Sequence, residues 1–278
     1  MMSKKKIRKF IPGFLFYIMG ILVAVLILIP FLWMISTSLK SKGALLSIPV
    51  EWIPEDPSLD AYKKLFMLDS FTSSVINSFY LAVTTTAVQL LSSSMAAYAF
   101  SKIRFKGRES LFKVYLATMM IPFQVTFIPL FIVLSSLGLT NKLNAFLLLQ
   151  LFNPFAIFML RQKMMTINNH FIEAAIIDGA NKRQIFMKII LPLSSGIIAT
   201  LSIMSFMGSW NDYLFPLVML SDKKKFTLPL LLNSLQGQYS SDYNLLMAGS
   251  LISILPILIV YIFAQKYFRS GLQIGVKG

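Results

Sequence analysis

At 278 residues, 56% of them hydrophobic and with a mean hydropathy of +0.71, the chain is far too apolar for a soluble globular domain and is expected to live in a bilayer. A formal charge of +15 and a pI near 9.9 would point a soluble domain toward nucleic acid; here the basic residues are spread over short segments beside apolar runs, so no nucleic-acid partner is expected. With no cysteine, disulfides and thiolate metal sites are excluded.

Six runs are free of Asp, Glu, Lys and Arg: 10–39, 70–101, 114–141, 143–160, 189–211 and 243–265. Each reaches the roughly 18 to 20 residues that cross about 30 Å of hydrocarbon as a helix, so the chain reads as an all-α membrane protein of six spans. Residues 1–13 form a basic N-terminus, and residues 14–278 one transmembrane domain. The first run follows Lys4, Lys5, Lys6, Arg8 and Lys9 in the manner of a signal peptide. It is too long for one and lacks a small-x-small cleavage site, and it is expected to remain as the first span.

Segment 36–69 holds Pro49, Pro54 and Pro57 with Glu51, Glu55, Asp56 and Asp60. It reads as a solvated loop with a short helix near 61–66 that packs against a partner outside the membrane. The second run carries Thr84, Thr85, Thr86, Ser92, Ser93 and Ser94, small hydroxyl residues that permit close helix contact while bonding to their own backbone. SSLGLTNK at 135–142 is a short turn joining runs three and four as antiparallel neighbours, and Pro122, Pro129 and Pro154 predict kinks. Asn77, Gln89, Gln124, Gln150 and Asn153 lie at membrane depth, where an unpaired amide is costly, so each is expected to face protein or water. Interhelical hydrogen bonding is the plainer role for any one of them; Gln124, Asn153 and Asn77 are kept as candidate pathway residues.

Between runs four and five lies a polar, helix-compatible segment, Glu173 to Pro192, reading EAAIIDGANKRQIFMKIILP. It predicts two short helices and a hinge. Glu173 suits a first turn, where a carboxylate offsets the helix dipole, and Ala174 and Ala175 permit close approach. Gly179 supplies the left-handed conformation that ends a helix, with Asp178 favouring the turn before it. Asn181 can cap the second helix, and Pro192 is placed in the first turn of the next span, where a missing amide proton matters least.

After run five, Trp210 to Pro216 (WNDYLFP) form an aromatic exit suited to the membrane interface. The uncharged stretch 226–241 is interrupted by Pro229 and Gly237 and turns polar after Leu232, so it is expected to be an external loop. With the N-terminus inside, 18 of the 26 basic residues and three of the 11 acids fall on the cytoplasmic side, which then carries the whole +15 excess. Both termini are therefore expected in the cytoplasm, with an internal loop at about 161–191 and a tail at 266–278.

Glu173, Ala174 and Ala175, three residues, Gly179, nine residues, then Ile189, one residue, Leu191 and Pro192 match at every defined position the cytoplasmic loop motif of ABC importer permeases. The Trp210 segment resembles W-N-x-(F/Y)-x-x-P of the sugar-transport branch, and the GLQIGVKG ending at 271–278 resembles that of maltose-type permeases. The chain is thus similar to the inner membrane components of binding-protein-dependent carbohydrate importers, from the first span to Gly278. The resemblance implies the type I importer permease fold and a place in the cytoplasmic membrane among its lipids. It also implies a second permease, ATP-binding subunits and an extracytoplasmic solute-binding protein as partners, with a carbohydrate as solute. It further implies that Glu173, Ala174, Ala175, Asp178, Gly179, Ile189, Leu191 and Pro192 couple the spans to an ATP-binding subunit.

No G-x-x-x-x-G-K-[ST] loop is present, so ATP hydrolysis is left to a partner. The uncharged runs offer no ionisable relay for a secondary transporter and no base for a serine nucleophile. His170, the only histidine, reads as solvated. No enzyme activity, cofactor or metal is expected. An importer for a non-sugar solute is the nearest alternative, and a stand-alone channel or scaffold is the alternative from another class.

Overall fold

The computed structural model describes residues 4–40, 51–238 and 242–273. Pro49 and the VKG ending lie outside them. The described chain is helical: α1 Lys4–Ser38, α2 Asp60–Met67, α3 Asp69–Lys102, α4 Arg108–Ala117, α5 Phe123–Ser136, α6 Ala145–Gln150, α7 Pro154–Met165, α8 His170–Ile177, α9 Lys182–Ile185, α10 Leu191–Leu193, α11 Ser195–Trp210, α12 Leu214–Met219, α13 Leu228–Gln238 and α14 Tyr243–Gln273. Contacts divide it into two units, residues 1–68 with 232–254, and residues 69–231 with 255–278.

Three helices are long and apolar enough to cross a bilayer by themselves: Phe16–Ser38, Asp69–Lys102 and Tyr243–Phe263. Two further runs form bent pairs, Arg108–Met120 with Phe123–Ser136 at 100°, and Lys182–Leu193 with Ser195–Trp210 at 77°. The first bend follows from Pro122, which forces Ile121 into an extended conformation at ψ 116°. The fourth run is also broken. Asn153 stands extended before Pro154, and its Oδ1 accepts from the Ala156 amide to start α7 anew. No single helix therefore covers 143–160.

In the smaller unit the expected short helix is α2. Its Tyr62 hydroxyl lies 2.9 Å from Ser38 Oγ at the end of α1. Lys40 Nζ sits 4.6 Å over the Trp33 ring, and Asn244 Nδ2 donates to the Lys40 carbonyl. The stretch expected to be an external loop is helical instead, since α13 covers 228–238. Pro229 stands in its first turn, where proline does not interrupt a helix.

The larger unit is organised on α3. Ser74, Ser78, Thr85, Gln89, Ser93 and Ala97 are buried at spacings of four and seven residues, which places them on one face. Small and hydroxyl side chains let α7, α11 and α6 pack closely there. Thr84 and Ser92 bond to carbonyls of the preceding turn, as their sequence predicted. The aromatic exit differs from expectation, because Trp210 is buried and stacked on Phe206 at 6.1 Å, and Phe215 packs edge-on to Phe146 at 5.1 Å. Trp210 at the end of α11 and Phe215 on α12 thus fill protein interior rather than facing lipid. Burial pushes the Asp212 carboxyl up from its ordinary range, and backbone amides of Phe215 and Leu214 partly oppose the shift.

A polar bond joins α3 to α11: Ser205 Oγ donates to Gln89 Oε1 at 2.7 Å. A double-mutant cycle of Gln89→Leu and Ser205→Ala, read from unfolding of the detergent-solubilised protein, is expected to give a coupling of roughly 0.6 to 1.7 kcal/mol. Additive losses would show that the bond contributes nothing to this interface.

Candidate functional site

The segment singled out by sequence folds as the predicted pair of short helices. In α8 the Glu173 carboxylate occupies the first turn and lies 3.2 Å from His170 Nδ1; both side chains are largely exposed. The helix ends at Asp178, and Gly179 adopts φ 80°. Gly179 N–H then donates to the Ile176 carbonyl at 3.0 Å and Ala180 N–H to the Ala175 carbonyl at 2.8 Å. This two-bond closure needs a residue free to enter the left-handed region. The second helix is fixed just as locally. Asn181 Oδ1 accepts from Gln184 N–H at 2.9 Å, and Gln184 Oε1 accepts from Asn181 N–H at 2.8 Å.

Beyond α9 the backbone widens into a π-helix at Phe186–Ile190 and continues through α10. Pro192 therefore stands before the 77° bend rather than in the first turn of the span after it. With no amide proton it cannot close an ordinary turn with the carbonyl four residues back, and the π turn precedes it.

The hairpin has an anchored side and a free side. Ile167, Ile185, Phe186 and Ile190 are buried in a core with Ala97, Ala156, Leu160, Met164 and Leu201, and Ala175 and Leu191 pack partly against it. On the other side Glu173, Ala174, Asp178 and Pro192 are exposed, as are Phe171, Ile176 and Ile177, the last at 85%. Ile189 is half-buried and lines, with Gly179, Gln184 and Lys188, a depression of about 310 Å³ beside the turn. Of the eight coupling candidates, the hairpin thus gathers Glu173, Ala174, Ala175, Asp178, Gly179 and Ile189 around α8 and its turn; Leu191 and Pro192 lead away toward the bend.

The pathway candidates separate. Asn153 lines a cleft of about 240 Å³ with Gln89, Gln150, Ser205, Ser209 and Phe155. Gln124 is exposed on α5. Asn77 donates to the Lys224 and Phe226 carbonyls at 2.9 and 3.1 Å and so holds the turn before α13.

Sequence reasoning passed over two basic residues beside the hairpin. Arg161 is 6% exposed; its Nη2 meets both Glu109 oxygens at 2.8 Å and its Nε donates to the Phe100 carbonyl at 3.1 Å. Lys102 Nζ donates to the Ile167 carbonyl at 2.6 Å and to Asn169 Oδ1 at 2.8 Å. Both had counted only as charges that set orientation. Their one sequence signal was a position at the end of an uncharged run, which says nothing of partners more than 50 residues away.

The sequence pattern of the binding-protein-dependent transport system inner membrane components matches residues 89–273, more than half of the chain. The chain belongs to this family. An arabinooligosaccharides transport system permease protein of Bacillus subtilis is 35% identical over 268 residues, 95% of this chain and 94% of that one. A lactose transport system permease protein of Rhizobium radiobacter is 32% identical, with 98% of each chain covered. Among solved structures, a chain of a bacterial ABC transporter involved in the import of the acidic polysaccharide alginate superposes with a TM-score of 0.85 at 27% identity, covering 96% of this chain and 99% of that one. Membership makes this chain a multi-pass permease of the ABC-importer type rather than a stand-alone channel, and not an enzyme. Among the described residues no three His, Cys, Asp or Glu side chains come together as a metal site.

The reciprocal cap at Asn181 gives this permease a local test. Asn181→Ala removes a helix cap of about 1 kcal/mol, so hydrogen exchange by mass spectrometry should show Lys182–Ile185 amides exchanging roughly fivefold faster, with α7 unchanged. Unaltered protection over Lys182–Ile185 would mean that the cap does not hold the second helix.

Proposed function

We propose that this permease is one of two membrane subunits of an ATP-driven carbohydrate importer. Six spans form half of the translocation pathway, both termini lie in the cytoplasm, and segment 161–191 is the cytoplasmic coupling loop. The fourth and fifth spans are the broken one, α6 with α7, and the bent one ending at Trp210. The observation that carries the reading is the free side of α8. A short helix closed at its Gly179 end presents Glu173, Ala174 and Ile177 outward while its neighbours Ile185, Phe186 and Ile190 are buried. A rigid knob with an apolar, small-residue face is what a cleft in an ATP-binding subunit can grip.

In this reading Glu173 anchors the helix by its charge, Ala174 and Ala175 allow close fit, and Asp178 with Gly179 sets the turn. Ile189, Leu191 and Pro192 pass displacement to the bend. An external solute-binding protein delivers the sugar and a second permease completes the pathway. The carbohydrate assignment is supported by relatives for arabinooligosaccharides, lactose and galactooligosaccharides. Amide and hydroxyl groups at Asn153, Gln150 and Ser209 form a polar, uncharged wall suited to sugar hydroxyls. Closure of the ATP-binding pair can switch the spans only because the knob makes different contacts in the two states.

In the assembled importer, Ala174→Cys is expected to crosslink to an engineered cysteine in the ATP-binding subunit. Glu173→Lys or Gly179→Pro should lower solute-stimulated ATP hydrolysis about tenfold, equivalent to about 1.4 kcal/mol, without reducing membrane insertion. Wild-type hydrolysis in both variants, or labelling of Lys182 by a membrane-impermeant reagent applied outside intact cells, would refute the assignment.

A further inference from the structure

We propose that Lys102 and Arg161 are positioning residues that make the coupling hairpin and the lower end of α3 one rigid lever. This rests on the docking of α8 proposed above and adds the route by which its displacement reaches the spans.

Lys102 is the last residue of α3, and its ammonium group reaches across to the connection that enters α8. Of its two acceptors, Asn169 matters most. The Asn169 carbonyl also receives the Ile172 and Glu173 amides at 2.9 Å and thereby begins α8. A cation beside a helix N-terminus opposes the helix dipole, so dipole attraction to α8 does not explain the contact. What it supplies is a pair of directed hydrogen bonds between two elements that have no backbone bond to each other.

Arg161 makes a second, different joint one helix away. Its guanidinium lies 3.9 Å over the Phe112 ring, holds Glu109 with both carboxylate oxygens and ties the Phe100 carbonyl, so α7, α4 and α3 meet on one planar group. Arg108 adds a bond to the same carboxylate at 3.1 Å. The far side of the hairpin is secured by Phe186, whose ring lies 5.2 Å from that of Tyr98 on α3. The chain on both sides of α8, at Asn169 before it and at Phe186 after α9, is thus held by the last two turns of one helix. Thirteen residues higher on α3 stands Gln89, about 20 Å away at 1.5 Å per residue, in the polar cleft. A push on α8 therefore moves one continuous helix whose far part lines that cleft, instead of being absorbed by the Thr166–Asn169 connection.

The test uses the complete importer in proteoliposomes, with solute uptake and ATP hydrolysis measured together. Lys102→Met, and Arg161→Lys, which keeps charge but loses the planar fork stacked on Phe112, are expected to lower the solute transported per ATP by roughly fivefold. Hydrolysis and the Ala174→Cys crosslink should persist, and Lys102→Arg should restore the ratio. Asn169→Ala, at an exposed position, removes an acceptor without disturbing either cation, and is expected to lower the ratio in the same direction even if a cation variant fails to assemble. A wild-type ratio in Lys102→Met and Asn169→Ala with the crosslink intact would overturn the lever. Absence of the crosslink from the complex that carries only the two engineered cysteines would instead strike the docking of α8 itself.

Discussion

Apolar side chains gain nothing by leaving lipid for one another, so helices in a bilayer associate through close packing and polar bonds. The face of α3 from Ser74 to Ala97 answers that constraint. Apart from Leu81 and Gln89 its buried side chains are no larger than a threonine, which lets α7 and α11 approach, and Gln89 meets Ser205 where a longer amide can be satisfied. Further features of the larger unit hang from this helix. Ser78 accepts the Leu228 amide at the start of α13, Asn77 holds the preceding turn, and the hairpin core closes over Ala97. A bulky side chain anywhere on this stripe would separate the spans and with them the loop they carry.

The span-forming runs were visible in the sequence because absence of charge is a strong signal over 18 residues. Where those runs break was less visible. Pro122, Pro129 and Pro154 announced kinks, yet Pro129 lies inside the continuous helix α5, and no kink was announced at Pro192, which stands just before the 77° bend. Hydroxyl residues in the second run were recognised as interface-forming, and their burial at four-residue spacing follows directly from helical geometry. The stretch 226–241 is not a span, as its sequence indicates, but its helix over 228–238 was not foreseen because proline and glycine outweighed the leucines between them. Pro229 sits in the first helical turn, where it is harmless. Trp210 was misread for a related reason: tryptophan favours the interface on average, and here neighbouring aromatic rings offered a better enclosure.

The hairpin of α8 and α9 was the most legible part of the molecule, because its geometry is written in short-range contacts. Gly179 and Asn181 each act within four residues, so sequence spacing alone locates the closure and the cap. Arg161 and Lys102 were illegible for the opposite reason, since their partners come from elsewhere in the chain and only the fold brings them together. Asn77 and Asn153 were rightly expected to find partners, but one became a loop tether and the other a helix cap.

The paired closures around Gly179 and Asn181 have one more consequence. Because the terminal amides and carbonyls at this junction are satisfied within the hairpin, it holds its shape whether or not anything grips it. A surface that is already formed loses little conformational freedom on engagement, so its grip can be renewed and released without refolding. A part that must change partners at each turnover is better served by such a preformed tooth than by a segment that orders only on contact.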